Sequence, residues 1–311
     1  MRFDRLDLNL LVALDTLIER GNVSLAAEDL CLSQSAMSGA LKRLREYFGD
    51  ELLIPNGRAM VLTPKAKQLA HPVREALLYV RYHITTPGKF NPSTSDRCFQ
   101  IVGTDYSHQL ILANVISQIA KEAPDISFAI HAPDSQMVEL FNRGEIDLFI
   151  SAQHPMLNIG KEHKKIDLFT DEEVVICWDE NPLCDSDLNT ESFSALGHAV
   201  TNFGPNRHPA ISEMVFEQLN IERRIEVTVS SFSSLPLAII GTQRIATMHR
   251  RQAEYFARLQ PIKILALPFP MPPVQLVAHW HIIRAADDGL SWLLAHIMSA
   301  VEKLDEQRAM P

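Results

Sequence analysis

The sequence predicts an α/β protein in two parts: a small helical head joined by a long helix to a larger domain of two α/β lobes. Three observations predict it. The first 62 residues hold three short segments of helical apolar periodicity and then a Pro-Asn-Gly hairpin signal. Residues 63–84 carry one continuous stripe with a spacing near 3.5. Beyond residue 97, β-like runs alternate with helical ones, the pattern of α/β units with mostly parallel sheets.

Within the head, Leu8, Leu11, Leu14 and Ile18 fall at helical spacing and the segment ends at Gly21. Ser24 is the expected N-cap of a short second helix, "LAAEDL". Ser33 follows the turn "CLS" and can cap a third helix over residues 34–48, with Met37, Ala40, Leu41, Leu44 and Phe48 on its apolar stripe. "ELLIPNGRAMVL" reads as two strands around Asn56-Gly57. Thr63 and Pro64 then open the long helix, whose stripe of Leu62, Ala66, Leu69, Val73, Leu77 (or Ala76), Val80 and Ile84 asks for a facing partner. Pro72 is expected to kink it. Residues 85–96, "TTPGKFNPSTSD", form a hinge without periodicity. These readings divide the chain into a head (1–62), a linker and dimerisation helix (63–84), the hinge (85–96) and a ligand domain (97–311). Its first lobe spans about 97–165 and 269–311, and its second about 166–268.

Charge and composition narrow the class. The chain is acidic, with a net charge of −9, yet residues 1–84 carry 11 Lys+Arg against 10 Asp+Glu, and the remainder 18 against 28. Exposed charges are screened beyond about 8–10 Å, so cations sharing one face of a near-neutral head still bind a polyanion. No apolar run reaches the roughly 18–20 residues of a membrane span. Asp4, Asp7 and Asp15 argue against a signal peptide. Cys31, Cys98, Cys177 and Cys184 contain no C-x-x-C pair and are expected to be reduced thiols of a cytoplasmic protein. His279, His281 and His296 lack a neighbouring carboxylate or Cys at ligand spacing, so neither a metal nor a cofactor is assigned. G-x-S-x-G, P-loop, G-x-G-x-x-G and H-E-x-x-H motifs are missing, and no enzyme is expected.

Helix, turn, helix and hairpin make a winged helix-turn-helix, whose third helix enters the DNA major groove. Gln34 can read adenine; Ser33, Ser35 and Ser38 can contact phosphate or bases; Lys42, Arg43 and Arg45 lie along the same helix as phosphate contacts. Arg58 at the hairpin tip suits a narrow minor groove.

"LDLNLLVALDTLIERGNVSLAAEDLCLSQSAMSGALKRLREYFGDELLI" and "GRAMVLTPKA" resemble the DNA-binding domain of LysR-type transcriptional regulators, densely over residues 6–75. The rest is similar to that family's effector domain through "GTD", "EIDLFIS", "WDENPL" and "WH". "LDLNLLVALDTL", "VREALL", "HWH" and "DDGLSWL" resemble nodulation activators and regulators of aromatic catabolism. The resemblance implies a homodimeric or homotetrameric regulator on a dyad-symmetric operator, contact with RNA polymerase, and a small aromatic or phenolic effector. Gln34, Ser35, Ser38 and Arg58 fall on the family's base-contacting positions, and Ser35 stands where the family usually has proline. A two-lobed, periplasmic-binding-protein-like effector domain would hold its ligand in the cleft beyond the carboxyl ends of strands. Thr104 matches a pocket position of the family; Asn202, Gly204 and His208 precede a helix start; Ser107, Gln153, Phe232 and Ser233 flank the same cleft. The rival readings are a regulator of a non-aromatic metabolite and a solute-binding module without DNA binding.

Overall fold

The computed structural model describes residues 6–56, 59–85, 90–153, 159–160, 162–182, 188–204 and 207–309. The chain forms two compact units, Met1–Gly88 and Lys89–Pro311.

In the first unit, α1 (Asn9–Arg20) buries Leu10, Ala13, Leu14 and Leu17. Its Leu-rich sequence contains two overlapping stripes, and packing selects this one; Leu8, on the expected stripe, is exposed. The cap of α2 (Val23–Asp29) is Asn22 and not Ser24: the Asn22 carboxamide oxygen accepts from the N–H groups of Ser24 and Leu25. Ser33 caps α3 (Gln34–Phe48), its Oγ accepting from Ala36 N at 3.1 Å. Met37, Leu41 and Leu44 drive the inner face of α3 into a shared core with α1, α2 and Ala66 and Val73 of the next helix. β1 (Leu53–Asn56) and β2 (Ala59–Leu62) pair antiparallel with Leu53 opposite Leu62. Thr63 caps α4 (Pro64–Tyr79), donating its own hydroxyl proton to Asp50 at 2.6 Å. The helix continues through Pro72 and gives way to π-helical backbone over Val80–Thr85. Arg74 of α4 pairs with Asp15 of α1 at 2.8 Å.

The second unit alternates as the sequence predicts. β3 (Cys98–Gly103), α5 (Asp105–Ser107), a π-turn (His108–Leu112), α6 (Ala113–Glu122), β4 (Ser127–His131), α7 (Ser135–Asn142) and β5 (Leu148–Ala152) begin the first lobe. β6 (His163–Asp171) leads through Glu172 into β7 (Glu173–Trp178) of the second lobe. There follow α8 (Thr190–Ala195), β8 (Gly197–Phe203), β9 (His208–Pro209), α9 (Ile211–Gln218), β10 (Arg224–Val229), α10 (Leu235–Ile239), β11 (Ile245–His249), α11 (Arg250–Ala257) and β12 (Ile262–Leu265). β13 (Val274–His281) and α12 (Asp288–Ala309) return to the first lobe. The chain thus leaves the first sheet after Asp171, later than the boundary near 166 that the pattern suggested.

The sheets run β4-β3-β5-β13-β6 and β10-β8-β11-β7-β12. Neither is mostly parallel. In each, β4-β3-β5 or β10-β8-β11 is parallel, and the last two pairings are antiparallel. The reason is connectivity: parallel neighbours need a crossover, usually helical, and β6–β7 and β12–β13 pass between lobes without one. Arg97, Arg284, Asp147 and Asp287 form a mostly buried charge cluster tying the starts of β3 and α12 to the residue before β5. The expectation of four reduced thiols fails: Cys177 is disulfide-bonded, while Cys31 and Cys98 are free. Among the described residues no helix is long and apolar enough to cross a membrane.

Candidate DNA-reading face and effector cavity

The outer face of α3 begins at its capped N-terminus. Ser33, Gln34, Ser35, Ser38, Lys42 and Arg43 are all exposed. Gln34, Ser38 and Lys42 succeed one another at intervals of four and form one ridge. The Ser35 hydroxyl lies 3.0 Å from that of Ser33. Arg43 is exposed but donates to the Asp7 carboxylate at 2.8 Å, a bond that holds the Asp7 carboxyl below its usual range. Arg45 has a different duty from the one expected. At about 100° per residue it lies only about 40° round the helix from buried Leu41. Its Nε donates to the carbonyl of Glu51 and its Nη2 to that of Leu53, each at 2.8 Å, so it anchors the strand entering the hairpin. Arg58 lies outside the described residues.

The second unit holds a cavity that opens to solvent. Both lobes arrange their parallel strands with the first in the chain between the second and the third, and the cavity lies beyond their carboxyl ends. Thr104 follows β3, Ser151 and Ala152 end β5, Phe203 ends β8 and His249 ends β11; all five line it. Phe149, Phe203, Phe232, Val138 and Leu276 supply an apolar wall.

Of the residues expected here, Thr104, His208 and Phe232 reach the cavity. Ser107 does not: it is buried, and its hydroxyl donates to the Thr104 carbonyl at 2.8 Å. Gln153 points to the surface and accepts from Lys165 Nζ at 2.7 Å. Asn202 is held in the β8–β9 ladder opposite Pro209. Gly204, at φ +65°, lets the second lobe approach the first: a Cβ there would lie 2.9 Å from the Asp134 Cβ. Ser233 serves a junction between the lobes, its N–H donating to Asp105 at 2.6 Å beside that of Phe232 at 3.1 Å.

The sequence reading missed Tyr106, Asp134, Ser151, Phe203 and His249 on the wall. One signal was available: each lies at the end of an apolar run or just after it, where a parallel strand delivers its ligand-facing residues. Tyr106 donates to Asp171 at 2.6 Å; its burial, with that carboxylate, pushes the phenol well above its ordinary range. Its ring centre lies 4.2 Å from that of His249. Burial alone would lower the His249 pKa, but Glu173, with Oε1 3.1 Å from Nδ1, and the charges of Asp171 and Asp105 more than offset it and raise the pKa. His208 Nδ1 lies 3.2 Å from the Pro209 carbonyl; as the donor there, it leaves Nε2 an acceptor when the ring is neutral.

A DNA-type helix face in one unit and a two-lobed ligand cleft in the other agree with the family models that match the chain. "Bacterial regulatory helix-turn-helix protein, lysR family" covers residues 8–67, and "LysR substrate binding domain" covers residues 98–302.

The chain belongs to the LysR family of transcriptional regulators.

It is 39% identical over 293 residues to Nodulation protein D 3 of Rhizobium leguminosarum bv. phaseoli, covering 94% of this chain and 96% of the relative. It is 38% identical to Nodulation protein D 2 of the same organism, over 99% and 96% of the two chains. A solved structure described as a probable transcriptional regulator from Pseudomonas aeruginosa matches with a TM-score of 0.62 and 26% identity, over 95% of this chain and 97% of that one. The chain is therefore a DNA-binding regulator with an effector-binding domain, and not an enzyme.

Proposed function

We propose that this LysR-family regulator answers a small aromatic or phenolic effector bound between its lobes. The observation that carries the reading is the lining of the cavity, walled by Phe149, Phe203 and Phe232 with few polar groups. That lining suits a ring-bearing ligand. The similarity to nodulation proteins, from which the phenolic class is taken, points the same way. Full-length protein should gain thermal stability with simple phenols or flavonoids and none with aliphatic acids, because a ligand of the folded state stabilises it by mass action. Stabilisation by aliphatic acids alone would transfer the reading to a non-aromatic metabolite.

At the DNA, Gln34 reads a base edge, Ser33, Ser35 and Ser38 contact phosphate or bases, and Lys42 and Arg43 hold phosphates, with Arg58 reaching the minor groove. Two copies pairing along α4 and the segment after it would present two such faces to a dyad-symmetric operator; Tyr79 and Ile84, 55% and 66% exposed, are apolar side chains suited to that contact. Pairs of dimers, contact with RNA polymerase and a cytoplasmic location complete the proposal. Gln34→Ala should weaken specific binding by about 5- to 150-fold. Lys42→Ala should weaken all sequences alike and reduce the salt slope by roughly 0.9. Operator footprints unchanged in both variants and in Arg58→Ala would overturn this assignment.

A further inference from the structure

The polar groups on the cavity wall are few, and among the described lining residues the carboxylate Asp134 has no Lys or Arg to balance it. Asp134 caps α7, its Oδ1 accepting from Met137 N at 2.7 Å, and among the described residues its Oδ2 has no hydrogen-bond partner. That carboxylate stands at the lobe boundary, against the backbone of Gly204. Ser151 Oγ is enclosed and has no hydrogen-bond partner among the described residues. Where the neutral ring donates from Nδ1 to the Pro209 carbonyl, His208 Nε2 is an acceptor. Among the described lining residues there is no Lys or Arg, and His249, whose pKa its acidic neighbours raise, faces Glu173, Asp171 and Asp105.

A ligand entering such a wall loses its hydration and must find complementary groups there. A hydroxyl finds an acceptor in Asp134 or His208, and a hydroxyl partner in Ser151. A carboxylate finds hydroxyl donors in Thr104 and Ser151 but meets a like charge in Asp134, with no Lys or Arg among the described lining residues to offset it. We infer that Asp134 is a specificity-determining residue, accepting a hydroxyl proton from an uncharged hydroxyaromatic effector and excluding aromatic carboxylates, with Ser151 as a second hydroxyl partner. This rests on the aromatic-effector reading and deepens it: it separates two ligand classes that an aromatic wall alone would admit.

The test uses three probes on the full-length protein at neutral pH: 4-hydroxybenzophenone, benzophenone, and 4-hydroxybenzophenone bearing a carboxylate on the second ring. Titration calorimetry and thermal shift should rank the uncharged phenol first. Benzophenone and the carboxylate should each bind at least about tenfold more weakly, the scale of about one lost polar contact or one uncompensated charge. Asp134→Asn keeps an amide oxygen to cap α7, so the fold is preserved. It should narrow the phenol-to-carboxylate ratio by about tenfold, mainly by improving carboxylate binding, as expected when a charge is removed. Ser151→Ala should weaken the two hydroxyl-bearing probes and leave benzophenone unchanged. Equal binding of phenol and carboxylate to the wild type, or an unchanged ratio in Asp134→Asn, overturns the charge selection while leaving the aromatic reading in place. Failure of all three probes to bind folded protein overturns both.

Discussion

The outer face of α3 and the cleft of the second unit are both recognition surfaces, and they treat polar groups in opposite ways. On α3, Gln34, Ser38 and Lys42 are exposed and stand on a helix whose packing is done by Met37, Leu41 and Leu44 on the other side. In the cleft, Tyr106, Phe203, Phe232 and His249 are lining residues and core residues at once, each less than a tenth exposed. On the helix, recognition is separable from stability, because 3.6-residue periodicity puts the two on different faces. In the cleft these four side chains carry both, so ligand preference cannot be altered at them without touching the scaffold.

The largest test of that difference is at Phe232. It packs against Phe203 at 5.3 Å and His249 at 5.0 Å between ring centres, and its backbone N–H is part of the Asp105 junction. Phe232→Ala should destabilise the second unit by about 3–5 kcal/mol, the usual cost of deleting a buried aromatic ring. Gln34→Ala, at an exposed helix position, should change stability by no more than about 0.5 kcal/mol. Urea unfolding of the two variants checks the contrast; equal stabilities would show that the cleft wall is not built into the core.

Buried polar groups give the next largest effect. His198 is fully enclosed, with Nε2 2.7 Å from the Phe193 carbonyl, and burial pushes its pKa down to about 4. His279 is pushed down to about 4, also mainly by burial. A histidine kept neutral by folding binds fewer protons than in the unfolded chain between about pH 6.5 and its folded value. Stability from these two is therefore present above about pH 6.5 and lost as the pH falls toward 4, by up to about 3 kcal/mol for each. His249 has the opposite sign: its raised pKa contributes stability below about pH 6.5 that is lost as the pH rises through the folded value. Urea midpoints between pH 7 and 4.5 should fall less steeply in His198→Asn than in wild type. Parallel slopes would remove His198 from the account.

The same division explains what the sequence discloses. α3 is contiguous: its cap Ser33, its stripe and its polar ridge all lie within 16 residues, so periodicity finds them together. Its one misplaced residue, Arg45, lies at the edge of the stripe, where a long side chain can turn to either side. The cleft is assembled from the ends of β3, β5, β8 and β11, which lie far apart in the chain. Thr104, His208 and Phe232 are found because strand ends and helix starts mark them. Ser107 and Ser233 satisfy the same local pattern and point elsewhere, and which side of a turn faces a ligand is set by tertiary packing. The mixed sheets escape the alternation argument for a related reason: β6, β7, β12 and β13 read as ordinary strands, and only their partners reveal that they cross between lobes.

The smallest effect is at Ser35, where helix start and DNA face coincide. It is the second residue of α3, so its N–H has no carbonyl four residues back within the helix, and a proline there removes no intrahelical bond. Ser35→Pro should therefore shift stability by less than about 1 kcal/mol. It does remove two exposed donors, the N–H and the hydroxyl that now lies beside Ser33, at a helix N-terminus suited to phosphate. Operator affinity should fall by about fivefold, with Ser35→Ala, which keeps the N–H, falling between the two, as expected for loss of about one phosphate contact. Gel shifts of the three proteins at one salt concentration decide it. If Ser35→Pro binds as wild type does while Gln34→Ala does not, the DNA-reading ridge begins at Gln34 and passes Ser35 by.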